Sequence, residues 1–165
     1  MLNAEARGSA GPSYLFETGE RQRWLIDHAA AALGRPMLSS LYATIYEILP
    51  NDTDFTIHRH GGHDGANFGF IQNLSHYHTP LDNLTNLDRG SLQHHGDNLL
   101  ELARRLSRAD LGKRTEGKAV YFDVLSAWVV SWPVGVGAGL GLLAGLLAAL
   151  GFGLAWRRSG GPRSV

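Results

Sequence analysis

Hydrophobic residues follow two spacings along the first hundred positions, and each spacing predicts its own elements. From about Glu20 to Leu33, Trp24, Leu25, His28, Ala29 and Ala32 recur at helical intervals, with Gly34 and Pro36 to stop the helix. A second helix, capped by Ser39 or Ser40, runs through Leu49 to Pro50 and sets Leu41, Ile45 and Ile48 on one face. A third, over about 90–107, is expected to bury Leu92, Leu99, Leu102, Ala103 and Leu106. Residues 13–16 and 65–71 are short, mostly apolar runs that read as strands. Asn51-Asp52 opens a turn, and His58, His60 and His63 alternate with Arg59 and Gly61 in another. Strands interleaved with helices predict an α/β domain.

Past Lys118 the pattern changes. Residues 124–156 contain no charged side chain, and from 133 to 156 they are apolar on every helical face. About 20 apolar residues cross a bilayer as a helix, so this run predicts a single transmembrane segment. A buried core helix is the competing reading, but such helices seldom run this long without a charge. Gly137, Gly141 and Gly145 recur at four-residue steps, a spacing that lets helices approach closely. Trp156 followed by Arg157 and Arg158 supplies an interfacial ring and then cations that reach for the headgroups. The preceding stretch, 119–132, is aromatic and apolar around Asp123 and is expected to lie at the membrane interface. Segment 110–118 reads as a charged linker and 157–165 as a basic tail. Lys113, Arg114 and Lys118 before the span balance Arg157, Arg158 and Arg163 after it, so charge sets no orientation.

The 15 basic and 15 acidic residues cancel, which removes the electrostatic basis for nucleic-acid binding. The absence of cysteine excludes thiolate zinc sites and thiol nucleophiles. The opening MLNAEARGSAGPSY lacks the apolar core of a secretory signal. Most of the histidines lie between His58 and His95, and the polar loop 72–88 (QNLSHYHTPLDNLTNLD) is the most informative stretch. There His78 is followed four residues later by Asp82, an arrangement that presents an imidazole while a carboxylate fixes its tautomer. The plain alternative is a surface histidine in a polar turn. Asn51 to Asp54 alone need only satisfy backbone donors, and Glu5 alone would pass as chain terminus. His94 and His95 fall at the start of a helix expected to be solvated.

Three segments in order, NAEARGSAGPSYLFETG, LPNDTDFTIHRHGGHDGANFGFI and HYHTPLDNLTNLDRGSLQHHGDNLLELARRLS, carry a resemblance. Together they resemble the C-terminal half of a co-catalytic dizinc aminopeptidase domain of metallopeptidase family twenty-eight. The likeness is strongest to its membrane-bound branch of vacuolar and endoplasmic-reticulum metalloproteases. The Asn-x-Glu-Ala-x-Gly pattern at Asn3 to Gly8 and the Tyr-His-Thr-x-x-Asp pattern at Tyr77 to Asp82 are specific in combination. The resemblance implies a partial three-layer sheet-and-helix zinc-exopeptidase domain over 1–109, followed by the transmembrane helix.

The same resemblance implies peptide hydrolysis by a water activated between two zinc ions. Within it His78 is a ligand of one zinc and Glu5 of the other, Asp54 stands near the metals and Asp82 supports the His78 loop. His76 and Tyr77 become candidate substrate contacts. The resemblance also implies a peptidase domain on the non-cytosolic side and peptide substrates as partners, beside the lipid bilayer. The family pattern further needs a His-x-Asp, a bridging aspartate and a tandem Glu-Glu ahead of Glu5, and none is in this sequence. The expectation is therefore a fragment without its general base, inactive by itself. Two other readings stay open: a non-catalytic, membrane-anchored interaction module on the peptidase fold, and a small histidine-rich metal-binding membrane protein.

Overall fold

A computed structural model describes residues 1–19 and 21–158. Glu20, where the first helix is expected to begin, and Arg163 of the basic tail lie outside the described residues.

Three strands form the main sheet in the order β1 (Leu2–Ala6), β3 (Ala66–Phe70), β2 (Tyr14–Thr18). β1 runs parallel to β3 and β2 antiparallel to it. Every residue of β3 is buried, which explains why ANFGF reads as a continuous run rather than an alternation. β2 reaches two residues beyond the predicted strand because Glu17 and Thr18 continue the ladder opposite Asn67 and Ala66.

Helices α1 (Gln22–Ala32) and α4 (Arg89–Leu106) pack together against this sheet. Leu25, Ile26 and Ala29 of α1 meet Leu15, Phe68 and Leu102 in one core. The predicted stripe of α4 holds at Leu102, with Leu99 and Leu106 packed against the core, but not at Leu92 or Ala103. The most buried line includes polar residues. It runs Ser91, His95, Asn98, Leu102, while Leu92 is 52% exposed and Ala103 is also exposed. Ser91, His95 and Asn98 find hydrogen-bond partners at Gly11 and Ser13, on the approach to β2, so polar groups can share the inner face. His95 is thus buried, not solvated.

Helix α2 (Ser40–Ile48) starts where predicted, with the Ser39 hydroxyl accepting from Leu41 N at 3.2 Å. Its shared apolar face points away from the core, since Leu41, Ile45 and Ile48 are all exposed and only Ala43 is buried. His58 and His60, expected in a turn, belong to a helix, α3 (Asp54–His60). Thr56 Oγ1 accepts from Thr53 N at 3.1 Å, and Phe55 and Thr56 anchor the first turn in the interior.

The charged stretch 110–118 is tied to the domain by Arg114, which reaches Asp64 at 3.0 Å and lies over the Trp24 ring. Residues 119–133 form an antiparallel hairpin of β4 (Ala119–Val124) and β5 (Trp128–Pro133). Ala119 and Tyr121 join the core, and Leu38 brackets Asp123 by donating to Oδ1 and accepting from its N–H, at 3.0 and 2.9 Å. Helix α5 (Val134–Arg158) follows at once, 25 residues with none buried. At 1.5 Å per residue that is about 37 Å, enough for a bilayer core of about 30 Å. Of its small residues Gly137 is already in use: a Cβ there would meet Trp132 Nε1 at 3.0 Å, whereas Gly141 and Gly145 face open space.

Candidate functional site

β1, an outer strand of the sheet, carries Glu5 opposite Gly69 of the central strand. The register sends the side chains of Asn3 and Glu5 to one face, and Asn3 Nδ2 donates to Glu5 Oε1 at 2.9 Å. The same amide donates to Asn67 Oδ1 at 3.0 Å. Asn67 spends its two hydrogens on Glu17 Oε2 and Thr53 Oγ1, each at 2.9 Å. Glu17 lies under Arg59, whose Nε is 3.5 Å from Oε1. A line of amides therefore runs from a half-buried carboxylate at the sheet edge to a buried one beneath it.

Glu5 also borders a mostly apolar cavity beside the sheet, about 440 Å³. Phe16, Tyr42, Ile45 and Tyr46 form its wall, Asn51, Asp52 and Thr53 its polar rim, and Tyr77 closes one side. Arg7 enters from β1, with its guanidinium 5.4 Å from the Tyr77 ring centre and Nη2 donating to Asn51 Oδ1 at 3.2 Å. Burial pushes the Tyr46 phenol above its ordinary value, with the nearby Glu17 charge adding to it. Arg7 Nε is buried and has no hydrogen-bond partner among the described residues. A concave apolar pocket with a few convergent polar groups is the usual form of a small-ligand site.

The loop 72–88 is held to β1 by a short seam. Ser9 N and Ala10 N donate to Gln72 O at 3.1 and 3.3 Å, and Gln72 N returns a bond to Ala10 O at 2.8 Å. His76, expected toward substrate, is bonded through Nδ1 to Ser9 Oγ at 2.8 Å. His78 sits at φ +57°, in the left-handed region that few non-glycine residues adopt, and its ring stacks on Tyr77 at 3.8 Å. No hydrogen bond among the described residues joins the Asp82 carboxylate to His78; Asp82 N caps the turn on Thr79 O at 3.0 Å. Asp54 is the exposed first residue of α3, one position outside the cavity rim at Thr53.

The fold therefore gathers Glu5, Tyr77 and the 51–53 segment at one cavity, although Glu5 and Tyr77 are far apart in the chain, and leaves His76 on Ser9. It also reveals Asn3, Arg7, Asn67 and Glu17, which pattern reasoning passed over. Asn67 had a visible signal, because an amide in the centre of a fully buried strand must find partners.

His94 and His95 serve the structure. His94 Nδ1 accepts from Ser13 N at 3.2 Å and Nε2 approaches Arg35 O at 2.9 Å, which fixes the tautomer with its proton on Nε2. His95 Nδ1 bonds Ser13 Oγ at 2.8 Å, and its ring stands edge-on to Phe70. Burial, with a smaller push from His94, lowers the pKa of His95.

A sequence model of Peptidase family M28 matches residues 1–103. The chain belongs to that family. It is 34% identical over 140 residues to endoplasmic reticulum metallopeptidase 1 of Homo sapiens, covering 81% of this chain and 16% of that protein. The putative endoplasmic reticulum metallopeptidase 1-B of Caenorhabditis elegans is 31% identical over 141 residues, with the same coverage of 81% and 16%. A vacuolar membrane protease of Yarrowia lipolytica is 26% identical over 126 residues, covering 75% of the chain and 12% of the protease. The chain thus spans about a sixth of the length of the first relatives it matches. No solved structure matches it.

Metallopeptidases of this family are zinc-dependent. Glu5 and His78 are donor types that zinc accepts. Among the described residues, however, no three His, Asp or Glu side chains come together in a way that could hold a metal. Zinc sites take three or four protein ligands, so the donors gathered here do not amount to a zinc site, and no chemical step is assigned through one.

Proposed function

We propose that this chain supplies the C-terminal part of a membrane-bound zinc exopeptidase domain and does not hydrolyse peptides by itself. In the complete domain Glu5 and His78 are donors to two different zinc ions, and paired metals of that kind activate the attacking water. Asp54 and Asp82 act from behind those donors. Tyr77 and the apolar cavity beside Glu5 receive a peptide side chain. The peptidase domain stands on the non-cytosolic side and α5 crosses the bilayer, with Gly141 and Gly145 left open for another helix.

The observation that carries the reading is the meeting of Glu5 and Tyr77 at one 440 Å³ cavity within the region matched by the family. A single donor for each zinc, against a requirement of three or four, supports inactivity of the chain alone. The test is zinc stoichiometry and aminoacyl-reporter turnover on the purified chain in detergent. Fewer than two zinc per chain and no chelator-sensitive turnover are expected; chelator-sensitive turnover would overturn the inactive-fragment reading. Genomic sequence upstream of Met1 provides the complementary check, with an in-frame His-x-Asp and Glu-Glu expected. In an enzyme completed that way, Glu5→Gln and His78→Ala should each abolish activity, whereas full activity in either would remove that residue from the metal site.

A further inference from the structure

The hairpin β4–β5 has two unlike faces. Ala119 and Tyr121 point into the core, and Asp123 has both carboxylate oxygens occupied, by Leu38 N at 3.0 Å and Ser126 N at 3.2 Å. The cross-strand pairs of the other face are Val120 with Trp132, Phe122 with Val130, and Val124 with Trp128. All six are apolar or aromatic, and at the base of that face the first turn of α5 sets Gly137 against Trp132 and Val120. Toward the tip the face is open: Trp128 is 66% exposed and Leu125 88%.

The tip is built to hold that leucine outward. Ala127 N donates to Val124 O at 3.0 Å, closing a turn whose central residues, Leu125 and Ser126, lie at φ +54° and +52°. Such turns suit the twist of a hairpin but ordinarily use glycine or asparagine there. A leucine in a conformation it rarely adopts, exposed to solvent, gains nothing in water.

We propose that this face is a second membrane-contacting element, seated in the lipid at the bilayer surface and holding the peptidase domain against it. The argument is continuity. β5 ends at Pro133 and α5 begins at Val134, so no linker lets the hairpin stand away from the bilayer that α5 enters. The uncharged run is shared, from Val124 through Trp156, and the hairpin's charged neighbour Asp123 is turned inward. Indole and phenyl rings beside the entry of a span are the usual occupants of the headgroup boundary. The inference rests on α5 crossing the membrane, not on the peptidase chemistry.

The chain has no cysteine, so single labels can be placed without background. Nitroxides at Leu125→Cys, at Leu147→Cys within α5 and at Gly96→Cys on the exposed side of α4 would be compared in phosphatidylcholine vesicles. Collision with oxygen, which partitions into lipid, is measured against collision with a water-soluble nickel chelate. Leu125 should match Leu147, with oxygen dominant, while Gly96 shows the reverse. A Leu125 label as open to nickel as Gly96 would overturn the proposal while leaving the span intact. If Leu147 were also open to nickel, the crossing of α5 and the proposal would fall together. Spin–spin broadening at Leu125 that vanishes on dilution to one chain per vesicle, with nickel access then restored, would mean a second copy covers this face and would equally overturn it.

Discussion

Asn3 links Glu5 to the centre of the sheet: one amide nitrogen donates to Glu5 Oε1 at 2.9 Å and to Asn67 Oδ1 at 3.0 Å. Asn67 passes the connection on to Glu17 and Thr53. The direction of every donor is thereby set, because each amide gives both hydrogens to oxygens and Asn67 accepts only through its carbonyl. Glu5 is held by a relay that begins inside the protein.

Asn67→Leu keeps the volume and removes the relay. Glu17, with 3% of its side chain exposed, would then rely on Arg59 at 3.5 Å. A loss of about 2–4 kcal/mol is expected from a network of this kind, read from urea unfolding of the chain in detergent. Asn67→Asp should be worse at neutral pH, since it sets a carboxylate against Glu17, and should recover as acid neutralises one of the pair. Wild-type stability for Asn67→Leu would show that the buried amides carry no net energy.

His95 predicts an acid sensitivity. Its folded pKa lies below the unfolded value, with burial the main cause, so the unfolded chain takes up the proton first. The stability it contributes is complete above about pH 6.5 and is lost as pH falls from there through the folded value. His95→Gln keeps a polar partner for Ser13 and cannot titrate, so it should flatten the curve below about pH 6.5. An unchanged slope in that variant would assign the acid sensitivity elsewhere.

Much of the fold was legible because its elements carry local punctuation. Ser39 marks the start of α2, Pro50 closes the region after it, and the polar run after β3 announces a loop. Helix α3 was missed because its seven residues hold three basic or imidazole side chains and too few apolar ones to show a period; Phe55 and Thr56 anchor it through tertiary burial. The face of α4 was legible at Leu99, Leu102 and Leu106 but not at Ser91, His95 and Asn98, which the interior accepts through hydrogen bonds that leave no apolar period. The motifs around Glu5 and His78 were readable, but not the relay behind Glu5, since a contact between Asn3 and Asn67 leaves no trace in spacing along the chain.

Asp64 gives a second pH window, separate from that of His95. Burial raises its pKa, but the hydrogen bonds and charge of Arg21, joined by Arg114, outweigh that and leave it lowered. Its stabilisation is therefore present above about pH 4, the unfolded carboxyl value, and lost as pH falls through the folded one. Asp64→Asn should remove that loss, at a neutral-pH penalty of about 1 kcal/mol because the arginines are partly exposed. Retention of the full acid transition below pH 4 in this variant, with its penalty absent, would refute the assignment.

Gly8, the last residue of the Asn-x-Glu-Ala-x-Gly pattern, owes its identity to contact and not to backbone angle. A Cβ there would collide with the carbonyl of Gln72, the oxygen that accepts from both Ser9 and Ala10. Because the Gln72 atoms it meets belong to the backbone, no flexible side chain can yield. Gly8→Ala must push the start of the 72–88 loop away from β1, and with it the Ser9–His76 bond and the setting of Tyr77 relative to Glu5. Overpacking of this sort costs about 1–3 kcal/mol. Gly96→Ala is the control: nothing lies within 4 Å of its Cβ on the exposed side of α4, so it should stabilise by about 0.5–1 kcal/mol through helix propensity alone. The two alanines should therefore move the unfolding midpoint in opposite directions, and the His76 ring resonances should shift only in Gly8→Ala. Equal midpoints and an unmoved His76 would mean that the seam tolerates a methyl group, and that the glycine of the motif serves something other than the spacing of Glu5 from the His78 loop.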